Sequence, residues 1–210
     1  MAPRESKTRP AKTTSDKIIK AASRAFAEAG FQGASVRQIV ARADVNQAAI
    51  NYHFGSKEEL YRAVLQKALH VLMQDDAAPG QDDSREAALR RFVRQQLHPI
   101  IARDESSDYL RIFGWETVRP SPVFRKFMAT EAAPFFASVM ALVRRFLPDG
   151  ASDQDAVLGA LWLFGQCSIF VRNKEQLANP PLSLKVDNSL VESLVDTITG
   201  WAMSGLTRSP

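Results

Sequence analysis

Cysteine is almost missing: Cys167 is the single thiol in 210 residues. One thiol closes no internal disulfide and completes no zinc-type spacing, which points to a reducing compartment. It lies inside an apolar run and reads as a buried, inert side chain rather than a redox sensor. Histidine is nearly as scarce. His53, His70 and His98 are scattered, with no H-E-x-x-H and no Cys–His set, and neither a G-x-S-x-G elbow nor a phosphate-cradling glycine loop occurs. These absences argue against an enzyme and leave no catalytic residue, metal ligand or cofactor to assign. Long apolar runs are missing too. The N-terminus is basic and polar, unlike a signal peptide. The longest apolar stretch, Ala156 to Val171, is interrupted by Gln166 and Ser168 and falls short of the ~20 residues of a membrane span. The expectation is a soluble, cytoplasmic protein without a membrane partner. Strand-type alternation and internal repeats are also absent, so the chain reads as all-α.

What is present is ordinary globular composition, 45% apolar and 24% charged, enough for a substantial core. The charge is unevenly spread. Residues 1–67 hold 12 Lys/Arg against 6 Asp/Glu; the remainder holds 15 against 17. A basic head on a slightly acidic body suits a polyanion-binding head, although Arg4, Lys7, Arg9 and Lys12 of the N-terminal segment supply much of the excess.

Residues 1–13 mix Pro, Lys, Arg, Ser and Thr without periodicity and read as a flexible basic arm. Ile18, Ile19, Ala22, Ala25 and Phe26 then repeat at helical steps up to Gly30. Ser35 with Gln38 forms a capping-box pattern ahead of Val36, Ile39 and Val40. Asp44-Val45-Asn46 breaks the pattern, Asn46 caps a short helix from Gln47 to Phe54, and Gly55 stops it. Ser56 with Glu59 opens a longer helix carrying Leu60, Val64, Leu65, Leu69 and Leu72. Residues 74–83 read as a loop. Further helices are expected near 84–103, 106–118, 121–147, 153–173 and 187–204.

Three short helices with a tight polar turn before the third match the helix-turn-helix plan. With Ile50, Phe54 and Val45 inward, the third helix turns Gln47, Ala48, Asn51 and Tyr52 outward. Those amides, a small apolar group and a phenol suit base edges, thymine methyls and phosphates. Ser35 and Arg37 open the second helix, which crosses the DNA backbone in this plan. Lys57 lies in the first turn of the fourth, where the helix dipole already favours a phosphate.

Residues 16–65, and especially AFAEAGFQGASVRQIV and VNQAAINYHFGSKEELY, resemble the DNA-binding domain of the TetR family. NYHFGSKEELYRAVL, followed by WETVRPSPVF, is similar to its CecR-like branch. The resemblance implies a head at 14–60 with its motif at 35–54, and a ligand-binding and dimerisation domain at 61–210. It implies Gln47, Ala48, Ala49 and Asn51 as base-facing. Ser35, Arg37, Tyr52, His53 and Lys57 are implied to face phosphates or to orient the recognition helix. One departure is Asp44, where many members carry Gly; Asp tolerates a left-handed turn at some cost. The implied function is a homodimeric regulator, most often a repressor, released from palindromic operator DNA by a small-molecule effector.

In the body, Ala156 to Val171 is apolar nearly all round and must be covered on two sides. This stripe and that of the last helix can be plain core or a two-fold interface; the TetR resemblance implies the interface, through Leu158, Leu161, Leu190, Leu194, Val195, Ile198 and Trp201. Nine of the twelve Phe lie beyond residue 84. Candidate pocket walls are Phe113, Trp115, Phe124, Phe127, Phe136 and Trp162, with Glu116, Arg119 and Gln166 as polar contacts, a composition that suits a largely apolar effector.

Overall fold

The structure is a computed structural model and describes residues 13–73, 84–102 and 106–206, the side chains at 72 and 73 excepted. All of the expected basic arm except Thr13, and the expected loop at 74–83, lie outside the described residues. Among those described, the elements are helical and no strand occurs.

Four helices build the head: α1 (Thr14–Gly33), α2 (Val36–Ala43), α3 (Gln47–Phe54) and the start of α4 (Lys57–Met73). Local chemistry sets their ends. Thr13 and Ser35 each form a reciprocal capping box, with Asp16 and with Gln38. Asn46 Oδ1 accepts from Ala49 N at 2.9 Å, and Ser56 Oγ accepts from Glu59 N at 3.1 Å. Asp44 adopts the left-handed conformation (φ 54°, ψ 53°) at the end of α2. Gly30 (φ 67°) breaks α1 as expected, but one more turn follows to Gly33. Phe26, Ile39 and Ile50 are at most 1% exposed and each contributes about 1.5–3 kcal/mol by burial.

The body holds α5 (Arg85–Leu97), a single 3-10 turn (His98–Ile100), α6 (Ser106–Val118), α7 (Pro122–Thr130), α8 (Ala133–Arg144), α9 (Asp153–Arg172), α10 (Lys174–Ala178) and α11 (Asn188–Leu206). The helix expected at 121–147 is two, bent by 56°. Ala132 precedes Pro134 in the first turn of α8, where proline is tolerated but cannot continue a preceding helix. The short α10 lies between the helices expected at 153–173 and 187–204.

Two cores result. One joins α5, α8, α9 and α11 through Leu89, Val93, Leu142, Leu163 and Val195. The other belongs to the head, yet it extends along α4 to Ala68 and takes in Tyr109 and Ile112 of α6 and Phe127 of α7. The head core thus crosses the boundary drawn at residue 60. Leu69, Phe113 and Phe136 pack against both cores.

Two expectations about α9 and α11 need correction. α9 is 20 residues long, and its most apolar 18-residue window has a mean hydropathy of 1.3, so by length and composition it is long enough to cross a membrane. Its buried side, including Ala156, Ala160, Leu163 and Cys167, belongs to the body core. On α11, Val195 and Ile198 are 0% and 2% exposed and lie in the core of their own protomer, so they have no surface to offer a partner. Val195 and Ile198, three apart, share the inward stripe of α11, while Trp201 stands 64% exposed.

Candidate nucleic-acid interface and effector region

On α3, Ile50 faces the head core, with Val45 and Phe54 half-buried beside it. This leaves Gln47, Ala48, Asn51, Tyr52 and His53 exposed, Tyr52 at 85%. The Tyr52 and His53 rings meet edge-on at 5.1 Å. Ala49 departs from the expected group: it is half-buried against the head core. Exposed amides on a short helix fixed at both ends, by Asn46 and by Gly55, can reach base edges without reorganising the backbone.

The flanking groups are placed by their helix starts. Ser35 is exposed, but its hydroxyl accepts from Gln38 N at 3.2 Å, so it serves first as a cap. Arg37 is exposed one residue into the helix. Lys57 is half-buried, its Nζ 4.7 Å from the centre of the Phe31 ring. Burial holds its ammonium below the usual lysine range. The ring fixes the stem while the head stays at the start of α4, where free backbone N–H groups also attract an anion. The sequence reading missed a basic groove of about 500 Å³ between α1 and α2, lined by Lys17, Lys20, Arg24 and Arg42 together with Glu28. Its signal was the i, i+3, i+7 spacing of Lys17, Lys20 and Arg24.

The nine effector-region candidates do not gather at one site. Phe113 and Phe124 meet edge-on at 5.7 Å, and Phe136 packs 5.5 Å from Phe135. Glu116 is not a free polar contact: at 2% exposure it accepts from Tyr61 Oη at 2.6 Å and from Ser121 N at 2.5 Å. Phe127 is core of the head. Arg119 is exposed past the end of α6. Trp162, 40% exposed, lies on the outer side of α9, and Gln166 is half-buried. Trp115 Nε1 donates to the carbonyl of Ala27 at 3.0 Å, so the indole wedges α6 against α1.

Sequence periodicity also could not show what grips α4. Glu131, at the α7–α8 bend, accepts from Arg62 Nε and from Gln66 Nε2, both at 2.6 Å. With Tyr61, three side chains of α4 are tied to the body. For the dimer candidates, Leu158, Leu161 and Trp201 are 56%, 55% and 64% exposed, and Leu190 and Leu194 are half-buried. Val157 and Ile169 add to the same exposed apolar surface of α9.

Comparison with known proteins places this geometry. Residues 18–64 match the model of bacterial regulatory proteins of the tetR family. Residues 85–206 match the C-terminal domain of the HTH-type transcriptional dual regulator CecR. The chain is 28% identical to the transcriptional regulator RutR of Escherichia coli K12 over 133 residues, 63% of this chain but only 61% of RutR. It is 24% identical to CecR of Shigella flexneri over 87% of this chain and 86% of that protein. It is 40% identical to the repressor NicS of Pseudomonas putida over 81 residues, 38% of each. Among solved structures, the fatty acid degradation regulator FadR from Bacillus halodurans superposes with a TM-score of 0.68 at 18% identity, covering 91% of this chain and 98% of that one, a likeness of fold. Head and body both matched, the chain belongs to the TetR family of DNA-binding transcriptional regulators and carries a C-terminal domain of the CecR type.

Proposed function

We propose that the protein is a homodimeric repressor that binds a palindromic operator and is released by a small, largely apolar molecule held in its C-terminal region. The observation that carries the reading is the exposed face of α3: Gln47, Ala48, Asn51 and Tyr52, with Arg37 and Lys57 at its flanks. Amides serve direct readout, and the cations serve phosphates. Two-fold pairing is supported by Leu158, Leu161, Ile169 and Trp201. These large apolar side chains stand in solvent on adjacent helices of a single chain. Repression rests on kinship with proteins named repressors, NicS and the AcnR proteins of two Corynebacterium species.

Release follows from geometry. Half-sites one helical turn apart lie about 34–36 Å from each other, so a dimer must match that spacing. α4 leaves the head directly after α3 and is held by Tyr61, Arg62 and Gln66 to α6 and to the α7–α8 bend. An effector among Phe113, Phe124 and Phe136, where the two cores meet, can shift that bend and with it the heads. It does so only if it prefers the wrongly spaced state. Selection of bound sequences from a random DNA pool tests the reading. The expected yield is a palindrome with half-sites one turn apart, and asymmetric single sites contradict it.

A further inference from the structure

Beyond the interface and the region where the two cores meet, α1, α6 and α9 line an open, shallow surface crevice of about 270 Å³ formed by Ala27, Arg111, Gly114, Trp115 and Arg172. Its size suits a single-ring molecule rather than a large effector. Three features set its chemistry. First, two arginines, Arg111 and Arg172, line it. Arg172 Nε lies beside Gly114, 3.9 Å from where a Cβ on that residue would stand. Second, neither arginine makes an ion pair or hydrogen bond with a described residue. The carboxylate that Arg111 acts on, Glu28, is held by Arg42 at 2.6 Å, which keeps it below the usual carboxylate range. Two like charges therefore line one open crevice whose nearby carboxylate is engaged elsewhere.

Third, the indole of Trp115 is immobilised. Its Nε1 is bonded to Ala27, and Gly30, which has no side chain, lies against its Cγ–Cδ2 side, where an added Cβ would be 3.5 Å away. The residue is still 48% exposed and forms part of the crevice wall. A fixed aromatic wall next to unengaged guanidinium forks matches a flat ring bearing a planar anion. The ring gains contact with the indole, and the anion accepts parallel N–H bonds that a neutral group cannot reproduce.

We propose that this crevice binds a small aromatic carboxylate. Because its walls come from α1 of the head and from α6 and α9 of the body, an occupant bridges the two at a place separate from the Phe113–Phe124–Phe136 region. The test is calorimetry on the full chain with benzoate as probe and benzamide, its neutral counterpart of the same shape. Benzoate is expected to bind one site per protomer. Benzamide is expected to bind at least about tenfold more weakly, the loss of one charge-assisted hydrogen bond. The double variant Arg111→Gln/Arg172→Gln alters two exposed side chains and should keep its helical circular dichroism and its operator affinity without benzoate, while losing benzoate affinity by at least about tenfold. Equal binding of benzamide and benzoate, unchanged benzoate affinity in the double variant, or no saturable heat in the wild type overturns the assignment. None of these results bears on DNA recognition by α3.

Discussion

Tyr61 Oη donates to Glu116 Oε1 over 2.6 Å, with the tyrosine fully buried and the glutamate 2% exposed. The other oxygen of Glu116 accepts from the N–H of Ser121, which caps α7. One carboxyl group thus joins the helix that leaves the recognition helix, the end of α6 and the start of α7. Burial, and then Glu116 itself, hold the Tyr61 phenol far above its usual range, so it remains a donor at every physiological pH. Tyr61→Phe keeps the ring and removes the donor. It should lower unfolding stability by about 1.5–3 kcal/mol in a denaturant titration, the range for a hydrogen bond to a charged group. A change below about 0.5 kcal/mol, the floor for an ordinary hydrogen bond, shows that the link contributes little.

The correction on α11 changes how dimerisation is tested. Leu161→Arg adds a charge to a side chain that is 55% exposed in the single chain. It should give a folded monomer by light scattering, with helical circular dichroism intact, because only an interface would bury the new charge. Val195→Arg places the charge inside the protomer core and should unfold the body instead. A Leu161→Arg protein that remains a tight dimer removes α9 from the interface.

How much of this was legible follows from the range of each interaction. The head was readable because its determinants are local: the Ser35–Gln38 and Ser56–Glu59 caps, the left-handed Asp44 and the Ile39/Ile50 spacing each act within a few residues. The outward face of α3, with Gln47, Ala48, Asn51 and Tyr52, follows from the same period, whereas Ala49, implied only by the resemblance, sits at the margin between faces. The effector region was not readable. Tyr61 and Glu116 are 55 residues apart in sequence, and Arg62 and Glu131 are 69 apart. No periodicity reports such pairs. Val195 and Ile198 belong to the body core, and an apolar stripe in the sequence does not say which neighbour covers it.

Lys57 should act on all DNA alike. Lys57→Ala removes one phosphate contact, so the log–log salt slope should become shallower by roughly 0.9 and random sequences should weaken as much as the operator. Fluorescence anisotropy across a salt series measures both. A loss confined to the operator would instead assign Lys57 to base readout.

Cys167 is 1% exposed, and burial pushes its thiol up to about 12. A raised thiol pKa means little thiolate at pH 8, so the folded protein should resist a thiol-reactive disulfide reagent at that pH and react once denaturant exposes α9. Rapid labelling of the native chain contradicts the burial described for α9.

If effector release works through α4, effector and operator must weaken each other by the same factor, typically about 5–150-fold. Calorimetric titration of an effector into protein with and without operator should give dissociation constants differing by that factor. Equal constants would falsify the coupling while leaving DNA recognition intact.

Recognition by α3 is the claim on which the functional reading rests, and Asn51 tests it most directly. The measurement is the ratio of operator to random-DNA affinity, at one salt concentration, for the wild type and for Asn51→Ala. The exposed amide should account for about 1–3 kcal/mol of discrimination at particular base pairs, so the ratio should fall by roughly 5- to 150-fold while random-DNA affinity holds. An unchanged ratio contradicts the assignment of α3 as the reading helix.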